Sequence, residues 1–167
     1  VTVSEQPAVQ YIEVDLPQVI EHKKAQLMAS ALGRKVMERA NFHLIAGDVV
    51  SDSWEHDLPP GDVDIVISEG LLMYLTPTQR SRFFNRIQGL RGGGGGLLFD
   101  LVPPDEEPSA GAIGRILAWV MKRFTKGQGF IEARVTRQSI KADLLAAGFT
   151  TVDVYEPQTL ADEWQLP

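Results

Sequence analysis

Carboxylates follow the apolar runs of this sequence at repeated intervals. Glu13 and Asp15 close the first run, Asp48 follows the second, Glu69 follows the third, and Asp100 lies within the fourth. A carboxylate at the end of a strand in a parallel sheet can accept both hydroxyls of a ribose. Others can accept from an exocyclic amine of adenine or face an ammonium or sulfonium group. The pattern therefore favours a positively charged nucleoside as the ligand over a phosphate.

Alternating apolar runs and helical patterns predict the elements that position these acids. Strands are predicted at 11–15, 41–46, 63–67, 97–102 and 149–155. Helices are predicted from Pro17 to about Leu32 with Gly33 as the stop, after the N-cap Thr76, over 113–124, and from Thr136 to Ala147. Gln79 completes a capping box with Thr76. Residues 49–62 are predicted to form a loop or a broken helical turn.

The order of these elements predicts an α/β fold with a doubly wound, mostly parallel sheet. In such sheets ligands bind outside the carboxyl ends of the strands, which is where the acids are predicted to lie. A chain of 167 residues with 44% hydrophobic content is long enough for one domain with a substantial core. We therefore expect a single domain over residues 1–167.

Composition makes several classes of function improbable. The formal net charge is −6 and no block of basic residues occurs, so nucleic acid is not expected as a partner. The chain has no cysteine, and its three histidines lack metal-ligand spacing, so no metal site is predicted. No apolar run approaches the roughly 18 residues that a membrane span requires. We expect a cytoplasmic protein with no membrane contact.

The glycines do not form a dinucleotide fingerprint. NAD requires a Gly-rich turn between a strand and a helix for its pyrophosphate, and no G-x-G-x-x-G follows a predicted strand. The five glycines of 92–96 precede their strand, and we interpret them as a tight entry loop. An NAD-linked oxidoreductase is therefore the least favoured nucleotide-binding function.

Two longer motifs resemble a known family. The sequence YIEVDLPQVIEHK at Tyr11–Lys23, followed by SEGLLMYLTP at Ser68–Pro77, is similar to the leucine carboxyl methyltransferase and polyketide O-methyltransferase family. That family is a branch of the class I methyltransferases that use S-adenosylmethionine (SAM). A looser similarity continues through LLFDLVPP at 97–104 and through 136–149, so the resemblance covers most of the chain.

The resemblance implies a Rossmann-like methyltransferase fold, SAM as the cofactor, and a small molecule as the methyl acceptor. It also implies roles for six residues: Asp15 at the ribose with Glu13 as second choice, Asp48 and the backbone of Val49 at the adenine, Glu69 near the methionine part and the sulfonium, and Tyr74 at the acceptor pocket. Each acid also has a structural alternative. Asp15 could cap the following helix, Asp48 could form a turn, and Glu69 could bond nearby amides.

The sequence also departs from the family pattern. Members carry a central first strand with a glycine-rich turn before the segment that matches Tyr11–Asp15, and a final antiparallel strand. Neither is recognised in this sequence, which predicts a partial domain with two half-sheets and unpaired parallel edges. A second copy of the chain could complete the sheet. The alternative function is accordingly a non-catalytic remnant of the fold that acts as an interaction or dimerisation module.

Residue chemistry indicates which oxygen would accept a methyl group. A carboxylate acceptor has a pKa near 4 and needs no base at pH 7, whereas a hydroxyl acceptor would need one. His22 is predicted to face solvent, His43 to lie in a strand, and His56 to lie in an acidic loop. None is a persuasive base, so the sequence favours a carboxylate or an acidic hydroxyl.

Overall fold

A pair of parallel strands forms the sheet in each of two compact units, residues 1–61 and residues 62–167. The computed structural model describes residues 9–51, 54–91, 94–100 and 136–155. Within these ranges, helices connect or follow the strands of each pair. The predicted α/β class with parallel strands is therefore confirmed.

The first unit contains two strands that are joined by two helices. Its elements are β1 (Tyr11–Asp15), α1 (Pro17–Met28), α2 (Ala31–Met37), β2 (Phe42–Ala46) and a 3-10 turn (Trp54–Asp57). The register of the parallel pair runs from Tyr11 opposite Phe42 to Asp15 opposite Ala46. Both strands therefore end at the same edge of the sheet.

The prediction of one helix from Pro17 to about Leu32 with Gly33 as its stop is wrong. The first helix ends at Met28, and Ser30 begins the second by accepting a hydrogen bond from the Gly33 amide on its Oγ at 2.9 Å. Gly33 is buried inside α2 because the helix passes close to the end of α1. A Cβ on Gly33 would lie 2.0 Å from the carbonyl oxygen of Leu27. Gly33 is therefore required by the close approach of α1 and α2, and it does not terminate a helix.

The core of the first unit joins α1, β2 and the 3-10 turn. Ile20 of α1 is 1% exposed, and Ile45 and Trp54 are also buried. Trp54 packs directly against Gly47, where an added Cβ would lie 2.7 Å from the Trp54 Cβ. This contact fixes the chain immediately after β2, where Asp48 follows.

The second unit contains the other strand pair and two well-capped helices. Its elements are β3 (Ile65–Ser68), a 3-10 turn (Leu72–Tyr74), α3 (Pro77–Leu90), β4 (Gly96–Phe99) and α4 (Arg137–Ala146). The strands are parallel, with Ile65 opposite Gly96 and Ser68 opposite Phe99. The predicted caps are confirmed. Thr76 and Gln79 form the capping box of α3, and Thr136 caps α4.

The two faces of the β3–β4 sheet differ in their cover. On one face Phe84 of α3 is fully buried, with its ring centroid 6.0 Å from that of Phe99. On the opposite face Ile65, Ile67 and Leu98 are 68%, 63% and 57% exposed. The strands are thus apolar on both faces, and among the described elements α3 covers one of them.

A buried arginine joins α3 to α4. Arg80 is 4% exposed, and its Nε and Nη2 donate to Asp143 Oδ2 at 3.1 and 3.0 Å. A second link follows α4, where the Arg91 guanidinium lies 4.8 Å from the ring centroid of Phe149. These polar and cation–π contacts supplement the packing of Ile140 and Leu144.

The predicted fifth strand at 149–155 is not a strand. The segment is irregular, and although Phe149 is buried, Val154 and Tyr155 are 62% and 63% exposed. A strand forms only where a neighbour pairs with its backbone, and no described strand pairs with this segment. The predicted helix at 113–124 and the end of the fourth predicted strand lie outside the described residues.

Two further properties concern the described ranges alone. No helix there is both long and apolar enough to cross a bilayer. Among the same residues, no group of three or more His, Asp or Glu side chains is arranged to hold a metal ion.

Candidate functional site

Three of the predicted site residues follow the strands at one edge of the β1–β2 sheet. Asp15 is the last residue of β1, and its carbonyl accepts a hydrogen bond from the Gly47 amide at 2.9 Å. Asp48 and Val49 come directly after Gly47. The parallel register therefore brings Asp15, Asp48 and Val49 to the carboxyl edge of this sheet, as the sequence predicts.

Asp15 is half-buried and does not cap α1. The N-cap of that helix is Leu16, with no side-chain cap, and among the described residues the one donor to Asp15 Oδ1 is the adjacent Leu16 amide at 2.7 Å. No lysine or arginine within the described ranges forms an ion pair with it. Because a carboxylate offers about four lone-pair sites, Asp15 keeps acceptor capacity for hydroxyl donors.

Glu13 is occupied by partners in its own unit. Lys23 of α1 forms an ion pair with its carboxylate, and the Tyr11 hydroxyl lies 3.4 Å from the same oxygen. Burial raises the pKa of Tyr11, the charge of Glu13 and its hydrogen bond raise it further, and Lys23 opposes the shift. Tyr11 also stacks on Phe42 with ring centroids 5.4 Å apart. Of the two acids of β1, Asp15 is the better ligand candidate.

Asp48 organises the turn that follows β2. Its Oδ1 accepts from the Val50 amide at 2.9 Å, and its Oδ2 accepts from the Ser51 hydroxyl at 2.6 Å. The turn-forming alternative for Asp48 is therefore realised. It is compatible with ligand binding, because a carboxylate offers about four lone-pair sites and the turn orders the backbone of Val49.

Glu69 follows β3 and is exposed at the carboxyl end of the β3–β4 pair. Gly70 comes next with a φ of +62°, and its amide donates to Asp100 Oδ1 at 2.6 Å. The contact between Asp100 and Gly70 was not predicted. The available signal was that Asp100 is the polar residue in the apolar run LLFDLV, next to the end of its strand.

Tyr74 closes the 3-10 turn between β3 and α3. The turn is anchored by Leu72, which is 1% exposed, and the Tyr74 amide donates to the Leu71 carbonyl at 3.0 Å. The Tyr74 side chain is half-buried. Packing of Leu72 explains how a short turn can hold the aromatic ring in a defined place.

The histidines and the pocket of the first unit do not coincide with the predicted site residues. His22 is hydrogen-bonded to Gln26 and His43 to Gln10, both at 2.9 Å, and His56 is exposed.

A pocket of about 420 Å³ is lined by Lys24, Met37, residues 42–46 and Asp57. None of the six predicted residues lines it, so the pocket gives no support to the site.

Comparison with known protein families gives one match. The model of the family described as leucine carboxyl methyltransferase matches residues 3–88, more than half of the 167 residues. No curated protein sequence matches the chain.

Several solved structures share the fold. PigF with SAH aligns with 92% of this chain at 18% identity and a TM-score of 0.62. The SAM-dependent methyltransferase SibL in its apo form aligns with 90% of this chain at 20% identity and a TM-score of 0.58. Human N-acetylserotonin methyltransferase in complex with SAM aligns with 92% of this chain at 18% identity and a TM-score of 0.56. At these identities the likeness shows a Rossmann-like methyltransferase fold and no more. The chain spans only 42%, 40% and 39% of those proteins.

Proposed function

This chain belongs to the leucine carboxyl methyltransferase family, whose cofactor is SAM, and on that premise we propose that it transfers a methyl group from SAM to an oxygen of a small molecule. The observation that carries the proposal is the placement of Asp15 and Asp48 together at the carboxyl edge of the β1–β2 sheet. As part of the same proposal the reaction is cytoplasmic, in keeping with a chain that lacks cysteine.

The proposed roles follow the chemistry of each side chain. Asp15 accepts from the ribose hydroxyls, and Asp48 with the Val49 backbone meets the adenine. Glu69 faces the positive charge of the methionine part, and the Tyr74 ring lies by the acceptor, where an aromatic face also favours a cation. Glu13 supports the first strand through Lys23 and is the weaker candidate for cofactor contact.

Bound SAM supplies an electrophilic methyl group. The residues of the chain have to hold the donor in line with the acceptor and exclude water, and alignment of this kind can contribute roughly 7 to 11 kcal/mol in well-oriented systems. A carboxylate acceptor is ionised at pH 7 without help from the protein. The partners of His22 and His43 are amide side chains, which supports an acceptor that needs no base.

Replacing Asp15 by Ala is expected to weaken binding of S-adenosylhomocysteine about 10- to 100-fold, because charge-assisted hydrogen bonds to the ribose are lost. Isothermal titration of this chain measures the change. Glu21→Ala is the matched control, since Glu21 is an exposed acid on α1, and it is expected to leave affinity unchanged.

Titration of the wild-type chain with S-adenosylhomocysteine and with NAD decides the ligand class. A measurable heat of binding with S-adenosylhomocysteine and none with NAD supports the proposal. Equal loss of affinity in Asp15→Ala and Glu21→Ala would assign the effect to net charge and contradict the role of Asp15. Absence of binding by the wild-type chain, even at millimolar ligand, would overturn the methyltransferase function for this chain.

The proposed acceptor is a carboxylate or an acidic hydroxyl. With radiolabelled SAM and a panel of small carboxylic acids and phenols, the expected product is a methyl ester that releases methanol in mild base. A product that keeps its label after the same treatment would be an ether, and it would refute a carboxylate acceptor.

The second candidate function is an interaction module of the same fold without activity, with another copy of the chain as its partner. One observation favours it: Ile65, Ile67 and Leu98 form an exposed apolar patch on the face of the β3–β4 sheet opposite α3. Symmetric association can bury such a face against its own copy. Sedimentation as a dimer by a chain that does not bind S-adenosylhomocysteine would favour this candidate.

A further inference from the structure

A single side chain holds the turn that carries Glu69. The Asp100 amide donates to the Ser68 carbonyl at 3.4 Å, which continues the β3–β4 ladder by one residue. The Asp100 carboxylate then accepts from the Gly70 amide at 2.6 Å. Asp100 therefore bonds to the residue before Glu69 and to the residue after it.

The bond between Asp100 and Gly70 selects one backbone conformation among the many that are open to a glycine. Gly70 has a φ of +62°, and because glycine adopts positive and negative φ about equally readily, its residue type alone does not select this turn. A hydrogen bond to an ionised acceptor is roughly twice as strong as one between neutral groups. The carboxylate of Asp100 is thus the group that selects this geometry.

We propose that Asp100 is a positioning residue that presents Glu69 to the cofactor by holding the backbone on both sides of it. The inference rests on the proposed function, in which Glu69 faces the positive charge of SAM. Glu69 is exposed and has no hydrogen bond within the described ranges, so its direction is set by its backbone alone. Without Asp100 the carboxylate of Glu69 would sample many directions and bind the cofactor less well.

The contact itself is tested without any ligand by the amide exchange of Gly70 in NMR spectra. In Asp100→Ala the Gly70 amide proton is expected to exchange at least about tenfold faster and to lose the downfield shift typical of a bond to a carboxylate. Asp100→Asn keeps an oxygen acceptor and is expected to restore most of the protection. Unchanged exchange in Asp100→Ala would overturn the proposal.

A double-mutant cycle tests whether Asp100 acts through Glu69. Glu69→Ala and Asp100→Ala are each expected to weaken S-adenosylhomocysteine binding about tenfold. The double variant is expected to bind no more weakly than Glu69→Ala alone, because there is then no carboxylate to position. Losses that multiply in the double variant, or a loss in Asp100→Ala with none in Glu69→Ala, would make Asp100 an independent contributor and overturn the proposal.

The two experiments keep this inference distinct from the proposed function. A wild-type chain that does not bind S-adenosylhomocysteine overturns the proposed function and, with it, the cofactor role of the turn. The exchange rate of the Gly70 amide proton then still shows whether Asp100 holds the turn. Asp153→Ala, which removes an exposed acid of the same unit, serves as the control and is expected to match wild type in both measurements.

Discussion

Replacing Gly33 by Ala is expected to lower the free energy of unfolding by about 3 kcal/mol, the upper end of the range for overpacking. The new Cβ would lie 2.0 Å from the Leu27 carbonyl oxygen and 2.7 Å from two further backbone atoms of Leu27. Backbone atoms cannot rotate away as a side chain can. The end of α1 and the start of α2 would therefore have to separate, which would also disturb the Ser30 cap.

Gly89 offers a matched control for this substitution. It lies in the last turn of α3, and an added Cβ there would meet no atom within 4 Å. Gly89→Ala is expected to stabilise the protein by up to about 1 kcal/mol, because alanine is the better helix former. Urea denaturation of both variants measures the two changes. Wild-type stability in Gly33→Ala would contradict the close approach of the helices.

Local signals explain how far the fold is predictable. Thr76 and Thr136 are N-caps because their hydroxyls accept from amides three residues ahead, and that chemistry is readable from residue type and spacing. Gly33 shows the limit of such signals. A glycine at the end of a helical pattern is typical of a stop, but the same residue is required wherever two backbones meet, and the sequence does not distinguish the two.

The segment 149–155 shows a second limit. Its alternation of residue types is typical of a strand, but alternation describes only the faces of a strand and not the neighbour that must pair with it. Pairing depends on parts of the chain that are distant in sequence. Phe149 is buried, and the group that lies over its ring is the guanidinium of Arg91, which directly follows α3 and does not belong to a strand.

The candidate site is predictable in position but not in its contacts. Strand ends and parallel register place Asp15 and Asp48 at one edge, and both facts follow from the apolar runs. The partners of the acids do not follow from them. Lys23 reaches Glu13 only because α1 folds back along β1, and the Asp100 bond to Gly70 depends on the β3–β4 register. These contacts show that Glu13, Asp48 and Asp100 also support the fold.

Replacing Asp143 by Ala is expected to cost about 3 kcal/mol, because it leaves a buried guanidinium without its counter-charge. Arg80 is 4% exposed, and among the described residues Asp143 is the side-chain partner of both its Nε and its Nη2. Within the described residues the Nη1 atom of Arg80 is buried without a hydrogen bond, so no second partner could replace Asp143. The expected value lies at the low end of the range for a broken buried pair, since the Asp143 side chain is 29% exposed. For a chain of this length, the midpoint of thermal unfolding should fall by about 6 to 12 °C.

The double variant Arg80→Met/Asp143→Leu distinguishes an uncompensated charge from a loss of packing. It removes both charges and keeps apolar volume between α3 and α4, and replacements of this kind are often neutral or stabilising. Its stability is therefore expected to lie within about 1 kcal/mol of wild type, well above that of Asp143→Ala. If the double variant were as unstable as Asp143→Ala, the helices would depend on the ion pair itself. If Asp143→Ala cost less than about 1 kcal/mol, as an exposed pair would, Arg80 would have to reach solvent in solution.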